Sequence, residues 1–276
     1  MDKMTINRRQ ALGHIIGITS VAAGAAIAPS ALAATPIEGA ATDFILGKGE
    51  KLKYVKLDPM AVAKLAYESK SGGCMYQVFH AMISKLSEST SVDAAKFKTI
   101  PTGLAVYGGG GIAGQGTVCG NLNGAGMLVN ILDDINGQNG AVVAALFRFY
   151  EITELPYMDD AFVTGIGSTQ DVTATSVVSA SIANSSLCHS SLTNWSEASG
   201  KTVAQKGERC PRLAAAIAMK LVELLNDAYD GKAIEGTKHE DNGSCTTCHG
   251  KAETMMGAPS VMTGMECQTC HTGHFN

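Results

Sequence analysis

Apolar residues recur every three or four positions over several stretches of this chain, and each such stretch predicts a helix. Met60, Val62, Leu65 and Ala66 carry the spacing between Pro59 and Lys70, and Ser71-Gly72-Gly73 breaks it. A second helix is predicted from Cys74 to about Ser87, with Met75, Val78, Phe79, Met82 and Ile83 along one face. Periodicity returns at Met127, Leu128, Ile131 and Leu132, and again from Ala141 to Tyr150. The strongest signal has Pro211 at its first helical position and runs through Leu225, with Leu213, Ile217, Leu221 and Leu224 on one face. Leu104-Ala105-Val106-Tyr107 reads as a short strand-like piece, and the Thr/Ser/Val-rich residues 166–181 fit loop or strand. From Gly231 onward the chain is rich in Gly, Thr and His and nearly without period. The expected fold class is mainly α: a helical globular domain over residues 35–230 followed by an irregular tail over 231–276.

The tail carries the most legible chemistry. Cys245-Thr246-Thr247-Cys248-His249 is followed by Cys267-Gln268-Thr269-Cys270-His271. Cys-x-x-Cys-His is the attachment pattern of c-type haem, in which two thiols add to the porphyrin and the next residue offers an imidazole to the iron. The 18 residues between Cys248 and Cys267 also suit a four-thiolate zinc ribbon. A zinc ribbon has no need of His after each pair, so two haem c groups are expected, on Cys245/Cys248 and Cys267/Cys270, with His249 and His271 proximal. An aperiodic tail agrees, because porphyrins then supply its core.

The N-terminus reads as an address. Arg8-Arg9 precedes a mildly apolar run from Ala11 to Ala28, and Ala31-Leu32-Ala33 supplies a small-x-small cleavage pattern. Residues 1–34 are therefore expected to be a twin-arginine signal peptide, with the periplasm as destination and no stable membrane span once the signal is removed. The run holds His14, Thr19, Ser20 and several glycines, which disfavours a transmembrane anchor. The twin-arginine route exports folded proteins. Haem c is attached after export, so the route hints at a second cofactor inserted beforehand.

Formal net charge is −4, and losing Lys3, Arg8 and Arg9 against Asp2 makes the mature chain more acidic. That balance argues against nucleic acid as a partner and is compatible with docking to basic redox proteins. Cys74, Cys119, Cys188 and Cys210 lie outside the haem motifs. An oxidising compartment permits two disulfides among them, and a four-thiolate iron–sulfur site is the other reading. Gly109-x-Gly111-x-x-Gly114 matches a dinucleotide fingerprint, with Asp133 and Asp134 about twenty residues on. A four-glycine run makes such matches by accident, Gly116 and Gly120 weaken the helix the motif requires, and a periplasm lacks a dependable nicotinamide pool. The glycines are expected instead to bring backbone N–H groups close to the Cys119 thiolate.

Gly72-Gly73-Cys74, the segment Val118-Cys119-Gly120-Asn121-Leu122-Asn123-Gly124-Ala125, Leu187-Cys188-His189 with Trp195 and Ser199-Gly200, and Glu208-Arg209-Cys210 together resemble the C-GCAxxG-C-C redox proteins. With two haem motifs and a twin-arginine signal, the chain is similar to the split-Soret cytochromes c over about residues 55–276. It departs at Asn121, where that family's segment is expected to hold Ala. The resemblance implies a mostly helical homodimer with two bis-histidine haems per subunit gathered at one end, one axial ligand coming from the partner subunit. It also implies an iron–sulfur centre, a [2Fe-2S] cluster, on Cys74, Cys119, Cys188 and Cys210.

Four histidines remain for the distal positions: His80, His189, His239 and His274. His239 and His274 rank first because both lie in the haem-bearing tail. His80 sits in an otherwise apolar helix, and His189 adjoins Cys188. Met255, Met256, Met262 and Met265 keep His/Met ligation formally open. The function expected is electron transfer between redox partner proteins. The alternative is an oxidoreductase or redox sensor acting on a small substrate at haem or cluster, which needs an open iron position that two imidazoles would close.

Overall fold

The computed structural model describes residues 46–169, 179–235, 242–262 and 264–271. The signal segment, His239, His274 and most of the Thr/Ser/Val-rich stretch lie outside the described residues. Within them the chain is mainly α, with nine α-helices among the described residues. These are α1 Pro59–Glu68, α2 Gly73–Ser87, α3 Ala94–Lys98, α4 Gly120–Ile131, α5 Asn139–Ile152, α6 Asp160–Gly165, α7 Cys188–Ser199, α8 Arg209–Tyr229 and α9 Asn242–Cys248.

Helix α8 is the hub. Its alanine run from Ala214 to Ala216 and Ala218, with Ile217, Leu221, Val222 and Leu225, is buried on almost every side. Small side chains let neighbouring helices approach closely, and α1, α2, α4 and α5 all pack against it. Val62, Ala63 and Ala66 of α1, Val78, Phe79 and Met82 of α2, Leu122 and Leu128 of α4, and Val142 and Leu146 of α5 join one continuous core. Truncating Ile217 or Leu221 to Ala in such a core costs about 2–5 kcal/mol. Helix α7 stands apart, with Cys188, Leu192 and Trp195 forming a small cluster against Cys210.

Local chemistry sets the boundaries. Asp58 caps α1 by accepting from the backbone N–H groups of Met60 (2.8 Å) and Ala61 (3.1 Å), with Pro59 at the first helical position. Helix α7 ends at Gly200 in the left-handed conformation, φ 66°. Among the described residues two strands, β1 Glu154–Leu155 and β2 Ser181–Ile182, pair antiparallel with Glu154 opposite Ile182.

Three expectations are corrected. Leu104–Tyr107 is not strand-like: it lies within a 3-10 helix, Thr102–Gly108, packed on α2. Helix α8 begins at Arg209, so Pro211 is its third residue, where its missing N–H still leaves no bond unmade. A helix does follow the glycine run, opening at Gly120 itself. A Cβ there would stand 2.6 Å from the Cys74 sulfur and 2.6 Å from the Gly108 carbonyl oxygen, so close approach outweighs glycine's poor helix propensity.

Candidate functional site

Each of the four cysteines outside the haem motifs lies at a helix N-terminus. Cys74 is the second residue of α2, Cys119 caps α4, Cys188 is the first residue of α7 and Cys210 the second of α8. Helix N-termini present unbonded N–H groups and a partial positive charge, which favour thiolates. An isolated bridge between Val118 and Leu187 brings two of these ends together, for each residue precedes its cysteine. The Cys119 N–H then bonds to the Ser186 carbonyl oxygen (2.9 Å) and the Cys188 N–H to that of Thr117 (2.7 Å).

The four thiols are neighbours, and Cys74 and Cys119 adjoin each other. Cys119 donates to the Cys74 sulfur, which also accepts from the backbone N–H groups of Gly110, Met75 and Gly120; these bonds pull Cys74 down to about 6 against the cost of burial. Cys119, its proton held in that bond and its thiol enclosed, is pushed up. Cys188 is raised to about 11, chiefly by burial and then by the neighbouring Cys74 and Cys210. The glycine loop thus serves a cysteine as expected, but its amide reaches Cys74 and not Cys119. None of the eight cysteines is disulfide-bonded.

Buried polar groups lie beside the thiols, and of these Tyr150 carried no sequence signal. The Tyr150 hydroxyl is fully enclosed, has no hydrogen bond of regular geometry, and lies beside the Cys119 thiol and the Ser191 hydroxyl. Arg209 is 3% exposed; its Nη2 donates to Ser191 Oγ (2.6 Å), while its Nε has no partner among the described residues. Asn121, where the expected family segment has Ala, is fully buried with neither amide atom bonded among the described residues. No group of three or more His, Cys, Asp or Glu among the described residues forms a cage for one ion. A two-iron cluster asks for something else, four thiolates within reach of two irons, and four neighbouring thiols with the orphaned Tyr150 and Arg209 donors beside them fit that demand.

Glu208 fixes the last of these cysteines in place. Its carboxylate accepts from Arg212 Nε (2.8 Å), from the Tyr67 hydroxyl (2.9 Å) and from Ser168 Oγ (2.8 Å), immediately before Arg209-Cys210.

The tail repeats one local geometry. In both haem motifs the His N–H bonds to the carbonyl oxygen of the first cysteine, 2.9 Å for His249 to Cys245 and 3.0 Å for His271 to Cys267. One helical turn therefore sets both thiols and the imidazole of each motif. Asn242, 3% exposed, stitches the motifs: its Nδ2 donates to the Met265 carbonyl oxygen (2.5 Å) and its Oδ1 accepts from the Cys267 N–H (3.1 Å). The Glu266 carboxylate caps the second turn through the N–H groups of Gln268 and Thr269. Thr269 Oγ1 donates to the Asn184 carbonyl oxygen (2.9 Å), joining the tail to the helical body. The Cys245 and Cys267 thiols are neighbours, and burial followed by that proximity raises Cys267. Exposed Met255, Met256, Val261 and Met262 leave apolar surface of the kind a porphyrin covers, so the residues fit the haems.

His80 is accounted for within α2. Its Nδ1 lies 2.9 Å from Thr102 Oγ1, its ring stacks on Tyr76, and burial lowers its pKa. His189 is exposed at the start of α7, its backbone N–H on the Gly116 carbonyl oxygen (3.0 Å). No helix among the described residues is long and apolar enough to cross a membrane.

No protein-family model matches the chain. It is 30% identical over 281 residues, 98% of its own length and 96% of the relative's, to the split-Soret cytochrome c of Desulfovibrio desulfuricans (strain ATCC 27774 / DSM 6949 / MB). It is also similar to a solved structure of the split-Soret cytochrome c from Desulfovibrio desulfuricans ATCC 27774, at TM-score 0.67 and 29% identity, covering 80% of this chain and 90% of that one. That structure is described as showing a novel iron centre.

Proposed function

The chain belongs to the split-Soret cytochrome c family, and on that footing we propose that it carries electrons between redox partner proteins in the periplasm, using two haem c groups and one [2Fe-2S] cluster. When bound, these groups supply one-electron centres and leave the polypeptide no bond chemistry to perform. Export by the twin-arginine route and assembly as a homodimer belong to the same proposal.

The observation that carries it is the repeated turn at Cys245–His249 and Cys267–His271, with the first thiols of the two motifs side by side. Cys245, Cys248, Cys267 and Cys270 take the thioether bonds, and His249 and His271 present imidazole. His239 and His274 are the proposed distal ligands. Adjacent attachment points keep two porphyrins close, and Asn242, Glu266 and Thr269 hold the two turns in a fixed relation to each other and to the helical body. Cys74, Cys119, Cys188 and Cys210 would hold the two irons of the cluster, and four helix N-termini would offset the charge of four thiolates.

The test is a haem and iron count on the exported protein, with absorption spectra before and after dithionite. Two covalent haems per chain and iron beyond two support the reading, and a divided Soret band on reduction marks coupled haems. Iron equal to two returns the four cysteines to free thiols or disulfides, and a colourless zinc protein overturns the whole.

A further inference from the structure

Arg209 and Arg212 lie one turn apart at the start of α8, both buried, and their surroundings differ. Arg212 pairs with the Glu208 carboxylate. Arg209 has no carboxylate partner among the described residues: the charges and dipoles it faces are Cys210, Tyr150 and Cys119. A guanidinium enclosed without a counter-anion is costly by several kcal/mol, so the fold must supply negative charge beside it. Among the described residues, the thiol centre is the feature beside it able to do so.

Tyr150 makes the same argument from another helix. It is 1% exposed, projects from α5, and its hydroxyl reaches the Cys119 thiol without a bond of regular geometry. Ser191 of α7 links the two: it accepts from Arg209 Nη2 through Oγ (2.6 Å) and its carbonyl oxygen (3.3 Å), and its hydroxyl adjoins Tyr150. Residues from α5, α7 and α8 thus form a linked, buried group beside Cys119 and Cys210. A hydrophobic packing role would be served as well by Phe and Leu. The buried hydroxyl and guanidinium each have an atom without a partner among the described residues, and both lie beside cysteine sulfur.

We propose that Tyr150 and Arg209, held by Ser191, donate hydrogen bonds to the sulfur atoms around Cys119 and Cys210 and thereby set the reduction potential of the iron–sulfur centre. The inference rests on the cluster assigned above. Hydrogen bonds and positive charge at ligand sulfur favour the reduced, more negative state, so both residues raise the potential. Tyr150 lies beside Cys119, and Arg209 lies beside both Cys210 and Cys119.

The experiment is an EPR-monitored redox titration of the holoprotein with Tyr150→Phe and Arg209→Lys, the haem potentials serving as internal reference. Tyr150→Phe removes one oxygen atom and keeps the ring packed. It is expected to lower the cluster potential enough to cut the reduced-to-oxidised ratio at the wild-type midpoint about tenfold, which is about 59 mV for one electron. Arg209→Lys keeps the charge, loses the fork, and is expected to shift the ratio in the same direction. Resonance Raman Fe–S bands of the wild type are expected to move in deuterated buffer, with part of that shift absent in Tyr150→Phe. Unchanged cluster potentials in variants that retain non-haem iron overturn the proposal. Should Arg209→Lys lose iron, Tyr150→Phe decides alone. A wild-type protein without non-haem iron instead sinks the cluster itself, an outcome distinct from a cluster indifferent to its donors.

Discussion

His249 Nδ1 lies 2.9 Å from the carbonyl oxygen of Pro259, ten residues further along the chain. A carbonyl can only accept, so Nδ1 carries the proton and the ring is turned to offer Nε2 to an iron. Ser260 Oγ closes the same loop on the carbonyl oxygens of Gly250 (2.8 Å) and Lys251 (2.9 Å). His249→Ala is therefore expected to leave the thioether bonds of Cys245 and Cys248 intact while removing one proximal imidazole. Pyridine-haemochrome should still count two haems, and EPR should show one of them converted from low to high spin. A spectrum identical to wild type would mean that His249 is not a ligand.

Cys74 and Cys119 stand in contact within the helical body, whereas the haem motifs occupy the tail. Cys74→Ser or Cys119→Ser is expected to abolish non-haem iron and leave haem content at two per chain. Metal analysis beside haemochrome quantitation separates the two pools. Parallel loss of haem would show that the two sites do not assemble independently.

The Glu208–Arg212 bridge is buried, with side-chain exposures of 5% and 0%, and Tyr67 also bonds to the same carboxylate. Arg212→Met leaves that carboxylate enclosed without its cation, a change that costs about 3–5 kcal/mol. At about 2–4 °C per kcal/mol for a chain of this size, the melting temperature should fall by roughly 10 °C. The exposed Lys56–Asp230 pair, 47% and 38% exposed, is the control. Lys56→Met should change stability by less than about 1 kcal/mol. Equal effects from the two substitutions would refute the distinction.

The parts of this molecule governed by short-range rules were legible from the residues. Helical period marked α1, α2, α5 and α8. What was hidden depended on contacts across the chain. Gly120 reads as a helix breaker until Cys74, 46 positions earlier, is placed against it. Leu104–Tyr107 has the side chains of a strand, yet it winds into a 3-10 helix against α2, with no strand beside it to pair among the described residues. Tyr150 carried no local signal at all, since one tyrosine in a helix is ordinary until its hydroxyl is found beside Cys119. Arg209 was visible only as the neighbour of Cys210, and Asn242 lies in a stretch without any period.

Glu151 gives the body a pH dependence that can be isolated. It is 3% exposed, and burial first, then the Glu266 carboxylate, raise it to about 7 against the pull of Arg148 and the Ser186 N–H. In the unfolded chain it titrates near the ordinary glutamate value of about 4.3. Between that value and about 7 the folded protein therefore holds a proton that the unfolded chain has released. Stability contributed through this group is present below the lower value, declines as pH rises through the window, and is lost above it. Glu151→Gln keeps the shape and removes the titration. Denaturant unfolding at about pH 5 and pH 8 should show a smaller drop in stability for the variant than for the wild type, the difference between the two isolating Glu151 from every other ionising group. Identical pH profiles would mean that Glu151 titrates as though exposed, and that the junction between α5 and the second haem motif is open to water.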